Sequence, residues 1–457
     1  MMIQIRLPEN RQIEAQWVCS IIFNDFLGLD YVAVPSLESG YCLSMNGKKI
    51  DLADVFFTGA ADSWLKPESL ALVQWNLSDV SGLDIEKITE PLPVLFGNPS
   101  IEFSENRVRC HVDIFGTAFY MLSRYEEVVK SARDDHDRFA AVSSLAYEAN
   151  FLYRPIVDEY VEILWACIKF LWPQLERKPE KGHVFVTCDV DQPYDCGTRD
   201  LKNLARLLGS DLLNRYDVSL AFRRVKNFVV RDCDNYFKDH FNTFDWYMEI
   251  CEKHSRRAAF YFIADHPAGV IDGCYDLNEP YIQKLLHKIS RRGHEIGMHA
   301  SYNTYKNSSQ IAKERLRLAM ACKAANADDS VLGNRQHYLR WDTSQTPDYI
   351  DAAGFEYDST GSFADAPGFR YGTSKSFNMW SWQKNAPLKI RQRPLILMDC
   401  SVIDDLYLGL GYTDEALDLM INLKEIALKF GANFSVLWHN SHLTTAKDRE
   451  FFETLIK

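Results

Sequence analysis

The sequence predicts an α/β protein in two parts, a separate α/β domain over residues 1–178 and, over 179–457, repeated strand-helix units built around a parallel sheet or barrel. Three observations predict this. Past residue 182, short apolar runs of strand character (HVFVTC, AAFYFIA, HEIGMH, VLGNRQH, FEYDS, LILMDCS and FSVLWH) alternate with helical runs. Just before them, LERKPEKG is charged and holds Pro and Gly, which places a boundary near Lys178 to Gly182. The length of 457 residues is about three times that of a typical domain, so more than one is expected.

Taken in order, QWVCSIIFNDFLG reads as helical, YVAVPS and YCLSMN as strands, and ITEPLPVLFG as an irregular connection marked by its two prolines. The run TAFYMLSRYEEVVK sets Phe119, Leu122 and Tyr125 at helical spacing, with Asp113 and Gly116 suited to the turn into it. A second helix, IVDEYVEILWACIKFLW, starts after Pro155 and stops before Pro173. No His, Asp and Cys cluster of ligand spacing occurs in this part. Beyond the boundary the helices are FDWYMEICEKH, YIQKLLHKISRRG, which ends on Gly293, and SQIAKERLRLAMACKAA. Residues 199–240 form an insertion rich in Arg and Lys, read as a solvated helical surface or, alternatively, as a face for an anionic partner or glycan.

Composition excludes several classes. With 47% hydrophobic and 25% charged residues the chain can bury a sizeable core and is neither coiled coil nor broadly disordered. A balance of 51 Lys and Arg against 63 Asp and Glu gives −12, which argues against nucleic acid or an anionic membrane as a whole-molecule partner. Eleven cysteines without a C-x-x-C pair suggest reduced thiols. The N-terminus lacks the apolar stretch of a secretory signal, and the most apolar candidate for a span, residues 161–172, contains Glu162 and Lys169 and is too short to cross a bilayer. A soluble, cytoplasmic protein is expected, with no transmembrane segment.

In parallel strand-helix folds, functional side chains gather where strands end. The first such end is Thr187-Cys188-Asp189-Val190-Asp191; side chains two apart leave a strand on the same side, so both carboxylates face one place, as a base and a metal ligand would. His299 ends the next candidate, ahead of a polar turn, whereas His294 reads as structural. Arg335 follows, in Arg335-Gln336-His337-Tyr338, able to hold a carboxylate through two hydrogen bonds. Asp358 and His439, the latter in Leu437-Trp438-His439-Asn440-Ser441-His442, complete the series. Each alone has a plain structural explanation, such as a turn-capping Asp. Five strand ends bearing Asp, His, Arg, Asp and His in that order are hard to explain as core packing.

Over residues from about 183 to 445 these motifs resemble those of NodB-type polysaccharide deacetylases. The resemblance implies a distorted (β/α) barrel. TCDVD is similar to the family's T-F-D-D motif in a D-x-D form, which implies Asp189 as general base and Asp191 as metal ligand. Gly293 to Gly297 and His299 match the second motif, but Asn303 stands where the family has its second metal-binding His. Arg335 to Tyr338 resembles R-x-P-Y with His337 in place of proline; Arg335 would orient Asp189, and a main-chain N–H near Tyr338 would help hold an oxyanion. Asp358 resembles the carboxylate of the fourth motif, on the groove wall, and His439 the general acid of the final L-x-H.

What this implies is metal-dependent hydrolysis of an N-acetyl group on an amino sugar of a bacterial surface glycan or its precursor, with an N-acetylated carbohydrate as substrate. The divalent metal, zinc first with cobalt, nickel or manganese also fitting, would be held by Asp191, His299 and Asn303, with His337 or His442 as substitutes for the weak amide ligand. Trp341, Tyr371 and Trp382 offer faces for sugar rings, with core packing an equal alternative. The first part, including DIFGTAFYMLSRYEE and RPIVDEYVEIL, is similar to the uncharacterised domain that often precedes bacterial cell-surface polysaccharide deacetylases. The rival reading is a catalytically silent glycan-binding or assembly protein, favoured by Asn303. Serine hydrolase and nucleotide-binding patterns are absent.

Overall fold

The structure is a computed structural model that describes residues 2–36, 40–77, 85–88, 91–179, 181–198, 201–213, 218–230 and 238–457. Strands β1 (Ile3–Leu7), β2 (Tyr31–Pro35), β3 (Tyr41–Met45) and β4 (Lys48–Leu52) are followed by a two-stranded ribbon of β5 (Gln74–Leu77) and β6 (Leu92–Val94), then by β7 (Gly97–Ser104) and β8 (Arg107–Val112). Outside the ribbon they form one mixed sheet in the order β2-β1-β3-β4-β8-β7. Asn46 and Gly47 set the β3–β4 register: both have positive φ, 54° and 77°, and Met45 lies opposite Lys48, the two-residue hairpin turn that Asn-Gly adopts with little strain. The expected first helix covers Gln12–Ser20 and widens into a π-helix, Ile21–Leu27, that stops at Gly28. Ile156–Leu171 is helical between its two prolines.

The second sheet carries the strand-helix alternation. Its strands are β9 (Val184–Val190), β10 (Ala258–Ile263), β11 (Glu295–Ala300), β12 (Gly333–Gln336), β13 (Tyr357–Asp358), β14 (Phe377–Ser381), β15 (Ala386–Gln392), β16 (Leu397–Met398) and β17 (Phe434–Leu437), in the order β14-β15-β13-β12-β11-β10-β9-β17-β16. All neighbours are parallel except β14 and β15. β10 and β17 are buried at every position, which is why they read as largely apolar runs, broken in β17 only by Ser435. Among the described residues the ladder stays open instead of closing into a barrel. Its edges are β16, two residues long, and β14, which runs antiparallel to β15. Helices Phe244–Lys253, Pro280–Arg291, Ser308–Ala324, Asp414–Lys429 and Ala446–Ile456 intervene or follow.

Two features in and near the insertion depart from expectation. Its helices, Leu201–Leu213 and Val218–Val230, are tied down by buried Arg224, which pairs with Asp195 at 2.7 Å and Asp211 at 2.8 Å, so this arginine serves packing and not a solvated surface. Cys196 and Cys274 are joined in a disulfide with Cα atoms 6.3 Å apart, so the expectation of uniformly reduced thiols fails for this pair, which the fold brings together from 78 residues apart. No helix among the described residues is long and apolar enough to cross a membrane.

The apolar core of the first part does not end at the linker. Phe363, Tyr371, Phe377 and Trp380 belong to the same cluster as Trp17 and Phe119, with Trp17 and Trp380 ring centroids 5.1 Å apart. Buried charges bind the two parts as well. Glu127 meets Arg124 and Arg370, each at 2.8 Å, and Arg124 also meets Glu126 at 3.0 Å. Against the effect of burial, Arg370 and Arg124 hold the Glu127 carboxyl down at about 2.

Breaking one partner of such a network strands the others in a dry place. Glu127→Gln should lower stability at neutral pH by roughly 3–5 kcal/mol, read from denaturant unfolding. Because the folded-state value lies below the ordinary Glu range near 4.3, the stabilisation is complete above that range and is lost as pH falls toward about 2, so the gap between wild type and variant should narrow over that interval.

Candidate metal centre

Parallel strands put their carboxyl ends on one edge, and the register aligns the chemistry there: Asp189 on β9 lies beside Tyr261 on β10, and His299 on β11 beside Arg335 on β12. Asp191 follows β9 directly, His337 opens the turn after β12, and His439 follows β17 and Trp438. Asp189, Asp191, His299, His337 and His439 line one cleft of about 230 Å³. Within it, Asp191 Oδ1 is 3.2 Å from His299 Nε2 and 3.8 Å from His337 Nε2, and Asp191 Oδ2 is 3.8 Å from His439 Nε2. Asp189 Oδ2 is 3.6 Å from His299 Nε2, and its Oδ1 is 3.8 Å from Arg335.

The outer ring atoms decide which way each lone pair faces. His299 Nδ1 donates to the Arg335 carbonyl at 3.0 Å, and His337 Nδ1 sits 3.1 Å from Asp272 Oδ1, so each ring, when neutral, turns the lone pair of Nε2 toward Asp191. Asp191 Oδ1 is buried and receives no well-formed hydrogen bond. Two imidazole nitrogens and a carboxylate oxygen facing one point without a donor among them fit a divalent cation with an open coordination position. Burial disfavours the Asp191 charge, yet His337, His299 and His439 together hold its carboxyl well below the usual carboxylate range. Burial likewise opposes charge on His299, and Asp189 with Asp191 outweighs it, raising the imidazole above its ordinary value; cation uptake therefore displaces a proton.

His439 is held differently. Its Nδ1 donates to Asp399 Oδ1 at 2.8 Å and its main-chain N–H to Asp399 Oδ2 at 2.9 Å, which leaves Nε2 pointing into the cleft. Burial notwithstanding, Asp399 raises the His439 imidazole well above its ordinary value, so it carries a proton. Asp399 was not among the sequence candidates; its signal was the Asp directly after the apolar run LILM, at the end of β16.

Three sequence assignments need correction. Asn303 is exposed and its Oδ1 accepts from Arg340 at 3.2 Å; the residues after His299 form a short turn, Thr304–Lys306, and not the helix that would have brought position 303 back over the site. His337 stands beside Asp191 and His299 instead. Asp358 is fully buried, its carboxylate engaged by Asn334 and Thr360, and it does not line the cleft. Trp341 and Tyr371 are buried and Trp382 donates to the Ser123 carbonyl, so the rings at the cleft are those of Tyr338 and Tyr407. His294, as expected, is structural: its Nδ1 accepts from Ala258 N and its Nε2 meets Glu252.

The first part also reaches the cleft. Arg138 lines it and donates to the Tyr338 carbonyl at 3.1 Å, while Arg340 donates to the His136 carbonyl at 2.7 Å. Tyr338 needs this support, because its φ of 60° lies in the left-handed region that side-chain-bearing residues rarely adopt.

Residues 3–173 match a family of unknown function, DUF7033. No curated protein matches the chain. Among solved structures, the chain is similar to one described as a "putative polysaccharide deacetylase from Mycobacterium smegmatis", at 16% identity and a TM-score of 0.39, covering 62% of this chain and 85% of that one.

If His337 is the third donor, His337→Ala should weaken zinc binding strongly while Asn303→Ala leaves it unchanged, both measured by competition with a chelator. Asp272→Asn, which removes the partner that orients His337, should cost roughly 10–100-fold in zinc affinity.

Proposed function

We propose that the chain is a metal-dependent hydrolase that removes the acetyl group from an N-acetylated amino sugar of a surface glycan or its precursor. The observation that carries this reading is the convergence of Asp189, Asp191, His299, His337 and the Asp399–His439 pair on one cleft. The silent-binder alternative drew its support from Asn303, and that support goes with the assignment.

Asp191, His299 and His337 would hold the cation. A divalent ion there, zinc first, supplies Lewis acidity toward the acetyl carbonyl and makes water a better nucleophile near neutral pH. Asp189 takes the proton from the attacking water, kept in place by the Arg335 guanidinium 3.8 Å away and by His299. Arg335 is itself fixed by its donations to Thr187 Oγ1 at 3.0 Å and Ser359 Oγ at 2.9 Å. The main-chain N–H at Tyr338, in the turn braced by Arg138, donates to the developing oxyanion. As the C–N bond breaks, His439 delivers the proton on Nε2 to the leaving amine, and Asp399 stabilises the imidazolium that carries it. Acetate and a free amino sugar are the products. Tyr338, 39% exposed at the cleft mouth, gives a sugar ring an apolar face.

Two measurements test this reading. Acetate release from N-acetylated glycans should be abolished in Asp189→Asn with zinc retained, whereas Asp191→Asn should lose the zinc; equal metal loss in both variants would contradict the division of roles. The pH profile tests the acid. His439 is competent when protonated and is raised by Asp399, so activity should fall only as pH rises through that raised value, and Asp399→Asn should move this alkaline limb to lower pH.

A further inference from the structure

We propose that Asp399, Cys400, His439 and His442 form a second metal site, distinct from the Asp191 centre, that takes a borderline-soft divalent cation such as zinc or cobalt(II). The helix Asp399–Ile403 begins where β16 ends, and the turn Asn440–His442 follows β17, its parallel neighbour. That adjacency brings an Asp-Cys pair against a His-x-x-His pair. His439 Nδ1 and His442 Nδ1 lie 2.8 and 3.0 Å from the two oxygens of Asp399, and Cys400 Sγ lies 3.8 and 3.7 Å from those same two nitrogens. A tetrahedral zinc with nitrogen ligands near 2.0–2.1 Å and sulfur near 2.3 Å sets such ligands about 3.5 Å apart, so this arrangement needs only small shifts to close on an ion.

Further observations mark the cluster as a binding place and not only a chain of hydrogen bonds. Both imidazoles present the same ring atom, Nδ1, to one point. Cys400 is half-buried, whereas every other free cysteine among the described residues is buried. Cys400 and His439 line the cleft and the His442 side chain is 37% exposed, which gives an ion a path in from solvent. The Asp191 centre has no sulfur donor, and a thiolate selects zinc or cobalt over magnesium, calcium or manganese. Uptake replaces the thiol proton and the protons on the two Nδ1 atoms, and Asp399 passes from hydrogen-bond acceptor to ligand. His439 Nδ1 cannot donate to Asp399 and bind an ion at once. On the deacetylase reading, filling this site leaves the Nε2 proton in place but replaces the imidazolium by a neutral metal-bound ring that gives that proton up far less readily, so metal beyond the first equivalent inhibits; the site itself stands without that reading.

Cobalt(II) titrated into the full-length protein, reduced and stripped of metal, tests the proposal, because only a thiolate ligand produces an intense near-ultraviolet sulfur-to-cobalt charge-transfer band. The band should appear in the wild type, persist in Asp191→Asn, vanish in Cys400→Ser and weaken in His442→Gln, a change at a partly exposed side chain that serves as the second variant. Zinc capacity should fall from two equivalents to one in Cys400→Ser. A wild type without the band, a band surviving Cys400→Ser, or a band lost in Asp191→Asn would overturn the site. Absence of acetate release at one equivalent of zinc, before this second site fills, in a protein that gives the band on titration would count against the deacetylase reading alone.

Discussion

The structure around the cleft depends on one constraint, the carboxylate of Asp191. Its Oδ1 is buried and receives no well-formed hydrogen bond among the described residues, a costly state for a charged oxygen. Three imidazoles from three different strand ends surround it, and their combined field keeps it ionised against the effect of burial. No one strand can provide this. The parallel order β17-β9-β10-β11-β12, which places all the carboxyl ends on one edge, is what assembles the compensation.

Each of those imidazoles is in turn aimed by a group further out. His299 is fixed by a main-chain carbonyl of the neighbouring strand, a contact set by sheet register alone, whereas His337 and His439 each need a buried Asp, Asp272 and Asp399, supplied by other segments. The turn carrying His337 also bears the left-handed Tyr338, and it is braced by Arg138 and by the Arg340 contact to His136, both from the first part of the chain. The first part therefore takes a share in the geometry of the cleft. The shared core around Trp17 and Trp380 and the Glu127 network keep that brace in register.

What was legible in the sequence follows from which contacts are local. Asp189, Asp191, His299, Arg335 and His439 stand at the ends of apolar runs, and strand alternation with parallel order is enough to bring them together. Asn303 was misplaced because the spacing of four residues was read as a helical turn, while the chain makes a short turn whose Asn is engaged by Arg340. Asp358 ends a strand as expected, but β13 is two residues long and buried, and its carboxylate is taken up by Asn334 and Thr360. Asp272 and Asp399 could not be assigned, since their roles depend on partners 65 and 40 residues away. The contribution of Arg138 was hidden for the same reason, its partner lying 200 residues on.

Two carboxylates only two residues apart on one strand end would ordinarily repel, and one would take up a proton. Here their surroundings separate them. Asp191 faces three imidazoles, two of which direct lone pairs at it and so call for a cation in the space between. Asp189 faces the Arg335 guanidinium, which cannot lose its proton and stands 3.8 Å off, too far for a hydrogen bond yet near enough to stabilise the charge. That gap leaves Asp189 Oδ1 without a hydrogen-bond donor among the described residues. On the proposed reading the same peptide segment offers one carboxylate to an ion and its neighbour to a proton, and the difference comes from the third and fourth strand ends, not from the D-x-D sequence.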